Sequence, residues 1–499
     1  MQKKYAVLFW MIFAVVSVMK LYYIGWGPLD LSPDEAQYWN WSRNLDICYY
    51  SKGPFIAYTI FFGTKLGELV AFNPPNPAFW TRFPAVLNSM LLGIIVWFLS
   101  YRLWKDYKIA LWIVLILLAI PIYAVGSIIM TIDNPLMLFW ALYIYVILLA
   151  LESKNAKYWY ISGVVLGLGF LSKYAMFILI PGTIVFLLTG RQHKEWLRRK
   201  EFYLSILIAC LFAIPVLYWN MSHDWIGMKH LIGQAGLAKH AEAKQFFSPH
   251  LFEFVGTQMG VVSPIIFVFI IISFYKAWKL RSDYRYNLLF WMGVPVAVLY
   301  MLLSLHKECQ ANWTAPLYIS GAILAGAIFQ KNTFLKIGIV LGVSAWLLLF
   351  NIDFLPGIPQ KYDPTLRLTG WKLLGEEVGG VKEEYQKDSP IFIFSDTYQI
   401  ASELAFYTPE QPRTYNVNLG RRMNQYDIWG GFDKLTGNDG LYVKHRDQVI
   451  DPEIASAFSS WEKLPVVNII KNGEIIHRYT IFLCREFKGI KGHGDESSY

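Results

Sequence analysis

Asp34 and Glu35 stand side by side in "LDLSPDEAQYWNWSRNLD", residues 29–46, directly after the first apolar stretch of the chain. Neighbouring carboxylates suit acid/base work, yet Ser32-Pro33-Asp34-Glu35 also reads as a helix start. It has a capping Ser, Pro at the first helical position and Glu three residues after the Ser. The capping box accounts for Glu35. It does not require Asp34, which gains only about 0.3–1 kcal/mol from the helix dipole. Asp34 is the carboxylate that the cap leaves over for chemistry, with Glu35 as its neighbour.

Cations are the natural complement. Lys52 in "YYSKGPF" precedes Gly53-Pro54, which open the next helix; a helix N-terminus with an adjacent Lys is an anion site, and a snorkelling surface lysine is the alternative. Lys173 in "LSKYAMF" interrupts an apolar run, where a charge costs ~2.5–3.5 kcal/mol at mid-membrane and less near a helix end. Arg82 opens another apolar segment, and Asp133 in "MTIDNPL" either caps a helix or belongs to the same chemistry. His223 and Asp224 ligate a metal, cap a loop or touch an acceptor, His306 and Lys307 form a turn, and Asp396 ends a strand. A zinc site normally needs three protein ligands or more, so no metal centre is assigned; no ligand spacing supports a divalent cation. There is no Walker loop, and the glycines of "GVVLGLGF" fall inside an apolar span, where small residues serve helix packing.

The elements that must carry these groups are membrane helices. The 499 residues are 55% hydrophobic and 16% charged, with mean hydropathy +0.35, well short of the roughly 25% charged residues of soluble domains. Apolar segments at 5–26, 81–101, 109–128, 134–151, 158–172, 174–190, 202–219, 254–275, 287–305, 312–329 and 334–351 predict a polytopic α-helical membrane protein of about eleven or more spans. The N-terminus has a basic start and a long apolar run without a cleavage site, and is read as a retained anchor. Basic residues such as Lys3, Arg102, Lys154, Arg198 and Arg281 fall on alternate connections, which puts the N-terminus in the cytoplasm and the C-terminal tail outside. The net charge of +9 follows from that topology, and nucleic-acid binding is not expected.

Three long segments then lie outside: 27–80, 220–253 and the tail from Asn351. The apolar stretch "GPFIAYTIFFGTKLGELVAF" carries Lys65 and Glu68 and reads as a helix along the membrane surface. The tail, 352–499, reads as a periplasmic α/β domain separate from the transmembrane part, 1–351. Its expected helices are "GWKLLGEEVGGVKEEYQ" and "YQIASELAFYT"; its expected strands are "SPIFIFSD", "PRTYNVN" and "GLYVK", with a final hairpin turning at Asn472-Gly473. Cys48, Cys210, Cys309 and Cys484 form no CxxC pair and read as free thiols, with a Cys48–Cys309 pair as the alternative. The triplets at Asn40, Asn220 and Asn312 are assigned no role. Outer carboxylates with outer cations suit transfer of a group from a lipid phosphate: cations bind the leaving phosphate and a carboxylate takes a proton from the acceptor.

The stretches "SPDEAQYWNWSRNLDICYYSKGPFIAY", "TIDNPLMLFWAL", "GLGFLSKYAMF", "NMSHDWIGMKH", "LHKECQANWTAPLY" and "YQIASELAFYTPEQPRTY" resemble the membrane glycosyltransferases of the GT-C fold. The resemblance is to the protein O-mannosyltransferase-like group that includes the lipid A aminoarabinose transferases. It implies a polyprenyl-phosphate sugar as donor, an envelope glycolipid such as lipid A as acceptor, inversion at the anomeric carbon and the bacterial inner membrane as location. It implies Asp34 as the first-loop catalytic carboxylate, Asp133 in the second outer loop of the site, and Lys52 and Lys173 on the donor phosphate, with Arg82 as a further cation. Ala36-Gln37-Tyr38 stand where the aminoarabinose enzymes have an Arg, and Ser51 where they have a Glu linked to metal. These departures argue against aminoarabinose as the sugar. A monomer is expected. Transfer to protein hydroxyls and lipid or sugar transport are the competing readings; transporters place their ionisable groups at the bilayer midplane, whereas here they gather at one face.

Overall fold

The computed structural model describes residues 2–190, 192–234, 250–351, 363–386 and 390–490. Residues 235–249 of the 220–253 segment and 352–362 at the start of the tail lie outside the described residues. In chain order the helices are α1 (Lys3–Trp26), α2 (Pro33–Arg43), α3 (Phe55–Val70), α4 (Phe79–Trp104), α5 (Tyr107–Ala119), α6 (Pro121–Gly126), α7 (Asp133–Ser153), α8 (Lys157–Ser172), α9 (Leu179–Thr189), α10 (Lys200–Leu211), α11 (Ile214–Ser222), α12 (Ile226–Gln234), α13 (His250–Val262), α14 (Pro264–Lys279), α15 (Tyr284–Ser304), α16 (Leu317–Phe329) and α17 (Thr333–Phe350). The tail adds α18 (Trp371–Tyr385), β1 (Ile391–Ser395), α19 (Tyr398–Tyr407), β2 (Thr414–Asn416), α20 (Gln425–Trp429), β3 (Asp439–His445), α21 (Pro452–Ser456), β4 (Phe458–Lys463), β5 (Val467–Lys471) and β6 (Glu474–Phe487).

Each of the eleven apolar segments is helical. Among the described residues six helices are long and apolar enough to cross a membrane: α1, α4, α7, α10 with α11, α15 and α17. The 254–275 segment is not one straight span. α13 and α14 meet at 109°, because Ser263 has φ +85° and Pro264 brings no N–H to continue the ladder.

Two compact units emerge, one of Met1–Tyr23, Lys52–Ile56 and Arg82–Phe354, the other of Ile24–Ser51, Ala57–Thr81 and Leu355–Tyr499. This differs from a division at residue 351, which groups the whole first loop with the membrane helices. In the first unit α7 is the most buried of the six long helices, and its Trp140, Ile144 and Ile147 lie in one apolar core with Ile113, Trp159 and Ile323. Backbones approach closely where side chains vanish: a Cβ on Gly163 of α8 would stand 2.3 Å from the Ser205 carbonyl oxygen of α10. That is the packing role expected of the "GVVLGLGF" glycines.

In the second unit the sheet order is β2-β1-β3-β6-β4, with β5 also on β6. β1 runs parallel to β2 and β3, and the remaining pairs are antiparallel. The helices and strands expected in the tail are all present, and β5 and β6 turn at Asn472-Gly473 as expected. β4 was not anticipated. Only its first residue is buried, so this edge strand lacks the alternation that marks a half-buried one. Phe392, Phe394, Tyr442, Phe458, Phe482 and Phe487 fill one side of the sheet. The other contact explains why the first loop belongs here: α2 packs on α19, with Trp39 edge-on to Phe406 at 4.8 Å. The Leu31 N–H donates to Tyr407 Oη (2.7 Å), Asn40 Nδ2 to Tyr426 Oη (3.0 Å) and the Tyr50 N–H to Gln425 Oε1 (2.7 Å). Asp30 accepts the Trp371 N–H at the start of α18 (2.8 Å). All four cysteines are free thiols.

Gly163→Ala is expected to lower the unfolding midpoint of the detergent-solubilised protein, at a cost of about 1–3 kcal/mol, because the neighbour it meets is backbone. Gly256→Ala in α13, where a Cβ meets nothing within 4 Å, is expected to leave the midpoint unchanged or slightly raised.

Candidate functional site

Asp133 has both carboxylate oxygens engaged within the helical unit. It opens α7, but it does not cap it: the N-cap is Ile132 and no side chain caps that end. The carboxylate is committed elsewhere. Oδ1 accepts from Lys173 Nζ at 2.6 Å and Oδ2 from Asn312 Nδ2 at 2.6 Å. Both charged side chains are about 15% exposed (14% and 15%), so the pair sits where water screens it poorly.

Local breaks in the helices deliver the three partners. Lys173 follows the last residue of α8 in extended conformation (φ −154°, ψ 128°), before a short 3-10 turn over Tyr174–Ile178 leads into α9. The uncertain boundary at Ser172-Lys173 is thus a real break, and it turns Lys173 out of the helix ladder. Asn312 lies in a 3-10 turn, Ala311–Thr314, ahead of α16. Asn134 pins the loop before α7, donating to the carbonyls of Gly126 (2.8 Å) and Ala85 (3.1 Å) and accepting from Asn88 Nδ2 (2.8 Å).

Lys52 lies on a segment pressed against the end of α8. A Cβ on Gly53 would stand 2.1 Å from the carbonyl oxygen of Leu171, two residues before Lys173. Only glycine fits there, and the contact brings the backbones that carry the two lysines together. Arg82 is 2% exposed, in the first turns of α4. His223 and Asp224 form the corner between α11 and α12. The His223 ring stacks on Trp219 at 4.1 Å, its Nδ1 bonds the Trp219 carbonyl (2.8 Å), and Asp224 has φ +51°. Lys307 lies 5.0 Å from the Trp313 ring centre, and burial lowers its ammonium pKa. Among the described residues no group of three His, Cys, Asp or Glu could hold a metal ion.

A cavity of about 260 Å³ lies in the same unit. Leu92, Val114, Leu117 and Phe350 are among its apolar lining residues, and Asp133, Asn134 and Asn312 are among its polar ones. An apolar chamber with a few convergent polar groups suits an amphiphile with a reacting head.

The second unit holds the acidic pair and separates its members. Glu35 is fully buried: the Ser32 N–H donates to Glu35 Oε2 (2.9 Å) and the Glu35 N–H to Ser32 Oγ (3.3 Å), completing the capping box. Asp34 is exposed and accepts one hydrogen bond, from Tyr398 Oη at 3.0 Å. Burial first, and the Asp34 carboxylate second, push the Tyr398 phenol above its usual range, so it remains a proton donor to Asp34. Asp396 directly follows β1, two residues before Tyr398, and burial raises its carboxyl pKa. Tyr398 and Asn312 were not singled out from sequence. Tyr398 has no local signature, and Asn312 showed only as part of an Asn-Trp-Thr triplet.

Residues 51–219 match the family described as dolichyl-phosphate-mannose-protein mannosyltransferase. The lipid A galacturonosyltransferase RgtD of Rhizobium johnstonii is 31% identical over 296 residues, 59% of this chain and 60% of that one. The undecaprenyl phosphate-alpha-4-amino-4-deoxy-L-arabinose arabinosyl transferase of Pectobacterium atrosepticum is 24% identical over 388 residues, 68% of this chain and 64% of that one. The matches thus span less than two thirds of each relative's length. Among solved structures, ArnT from Cupriavidus metallidurans bound to undecaprenyl phosphate superposes with TM-score 0.62 at 14% identity, over 97% of this chain and 98% of that one. At that identity the likeness carries the fold: the chain has the GT-C architecture with a C-terminal α/β domain.

Asp133→Ala leaves Lys173 without its carboxylate and is expected to destabilise the protein by roughly 2–4 kcal/mol, less than for a fully buried pair. The double variant Asp133→Ala, Lys173→Met is expected to recover most of that loss in thermal unfolding, since no uncompensated charge remains.

Proposed function

We propose, from the premise that this chain is a GT-C relative of lipid A glycosyltransferases, that it moves a sugar from a polyprenyl-phosphate donor to a lipid A-type glycolipid. The reaction takes place at the periplasmic face of the bacterial inner membrane, with the N-terminus cytoplasmic and the α/β domain outside. The observation that carries this reading is the cavity of the helical unit, whose apolar wall ends in polar groups around Asp133 and Asn312. A donor with a lipid tail and a sugar-phosphate head has that same division. The relatives' names and the shared fold support it.

In the reaction the bond from sugar C1 to the donor phosphate breaks and its electron pair stays on the phosphate, while an acceptor oxygen bonds to C1. Lys52, Lys173 and Arg82 are the cations assigned to the phosphate, where charge develops as the bond breaks. Asp133 orients Lys173. Asp34, held by Tyr398 and steadied by the capping box of Glu35, orients the acceptor and takes its proton if that acceptor is a hydroxyl. A lipid A phosphate is already ionised and needs no base; Asp34 then stabilises positive charge growing on the sugar. His223, Asp224, Lys307 and Asp396 are assigned to acceptor or loop contacts.

A second reading, transfer to protein hydroxyls, is favoured by the description of the matching family. Mass spectrometry of lipid A and of envelope proteins from cells with and without the gene separates the two. Lipid movement into liposomes without a covalent product would instead mark a transporter.

With purified protein, lipid A and a radiolabelled polyprenyl-phosphate sugar, Asp34→Asn is expected to reduce transfer by about 10²–10⁴-fold. Glu35→Gln is expected to act mainly on stability, by ~1 kcal/mol. Undiminished turnover in Asp34→Asn would remove Asp34 from the chemistry.

A further inference from the structure

Lys20 has no part in the reading above. It lies in the last third of α1, inside a helix apolar enough to span a membrane, and lines the cavity that also reaches Asp133 and Asn312. Its ammonium donates to Ser89 Oγ at 3.3 Å, and the Ser89 hydroxyl in turn donates to the Val86 carbonyl at 2.7 Å. Among the described residues Lys20 makes no ion pair. Asp133 is the one carboxylate lining this cavity, and both of its oxygens are already engaged by Lys173 and Asn312. An ammonium on a largely apolar wall within a spanning helix is costly, and such groups mark function when a partner can be named. Among the described residues no carboxylate is left over for it, and a ligand that enters the cavity can bring the counter-charge.

We infer that Lys20 binds a carboxylate on the transferred sugar, making a uronic acid the preferred donor head group. This rests on the function proposed above. With the donor phosphate assigned to Lys52, Lys173 and Arg82, the sugar attached to it enters the cavity beside Asp133, and a substituent remote from the reacting carbon reaches Lys20. The apolar wall strengthens an ion pair formed there and penalises a sugar bearing an ammonium group. Lys20 is therefore a specificity residue: it selects by charge and takes no part in bond breaking.

The test uses the full-length protein in lipid nanodiscs. Three probes are compared: polyprenyl phosphate bearing a uronic acid, the same lipid bearing the neutral parent hexose, and polyprenyl phosphate alone. Transfer and binding are both measured for wild type, Lys20→Met and Lys20→Arg. The ratio of kcat/KM for the uronosyl donor to that for the hexosyl donor is expected to fall about 10- to 100-fold in Lys20→Met and to be largely kept in Lys20→Arg, with binding of polyprenyl phosphate unaltered. Equal losses on both donors with weaker polyprenyl phosphate binding would assign Lys20 to the phosphate and overturn the inference. An unchanged ratio, or a wild-type protein that transfers the hexose and neither binds nor transfers the uronic acid, would also overturn it. If the wild type transfers neither sugar, the glycosyltransferase reading fails. The inference is then decided by binding alone: tighter binding of the uronosyl lipid than of the hexosyl lipid, lost in Lys20→Met, upholds it, and equal binding refutes it.

Discussion

The ion pair of Asp133 with Lys173, completed by Asn312, is the constraint around which the helical unit is arranged. A buried carboxylate is costly unless it is paired, and three elements are interrupted where this pair forms. α7 begins at Asp133 with no side chain capping its first turn, α8 stops one residue before Lys173, and a 3-10 turn presents Asn312. Each interruption leaves backbone groups outside the helix ladder. Asn134 donates to the carbonyls of Ala85 in α4 and of Gly126 at the end of α6, and the tight seat of Gly53 against Leu171 fixes the chain beside the α8 break. The irregular backbone of this unit is concentrated where its charges are.

The second unit meets a different demand: holding one exposed carboxylate steady on a short helix. An eleven-residue helix is marginal alone in water, and α2 is stabilised instead by its neighbours. Its first turn is closed by Ser32 and Glu35, its face is covered by α19, and Asn40 reaches the Tyr426 hydroxyl. Asp34 is left at the surface with Tyr398 as its donor. The two carboxylates are adjacent in sequence and opposite in circumstance, because successive helical positions point about 100° apart.

Much of this was legible before any coordinates. The capping box of Ser32 and Glu35 was readable and left Asp34 over, and the apolar segments fell where the helices are. The turn at Asn472-Gly473 was readable because its residue types suit positive φ. What escaped notice were relations with no local signature. Asn312 looks like a chance triplet until the fold brings it to Asp133. Tyr398 is an ordinary helix-start tyrosine until α2 packs beside it. Lys20 passes as one more residue of an N-terminal anchor. β4 exposes nearly its whole length, so hydrophobic periodicity could not mark it, and the bend at Ser263 lies in a run whose apolar composition continues unbroken across it. The unit boundary escaped for the same reason, since residues 24–51 join the tail through hydrogen bonds and aromatic contacts rather than through any shift of composition.

That discontinuous unit has a consequence for how the protein is made. The hydrogen bond from Leu31 to Tyr407 joins positions 376 residues apart, and α19, which packs on α2, comes from the far end of the sequence. At roughly 5–20 residues per second, the ribosome needs on the order of tens of seconds to go from one partner to the other. Throughout that interval the segment bearing Asp34 has been synthesised and lacks α19 to pack on. Its apolar face, Trp39 included, is a client for chaperones or for the lipid surface until α19 arrives. A nascent or prematurely terminated chain therefore holds its membrane helices without an ordered Asp34, and assembly of that carboxylate's surroundings doubles as a check that translation has passed residue 407.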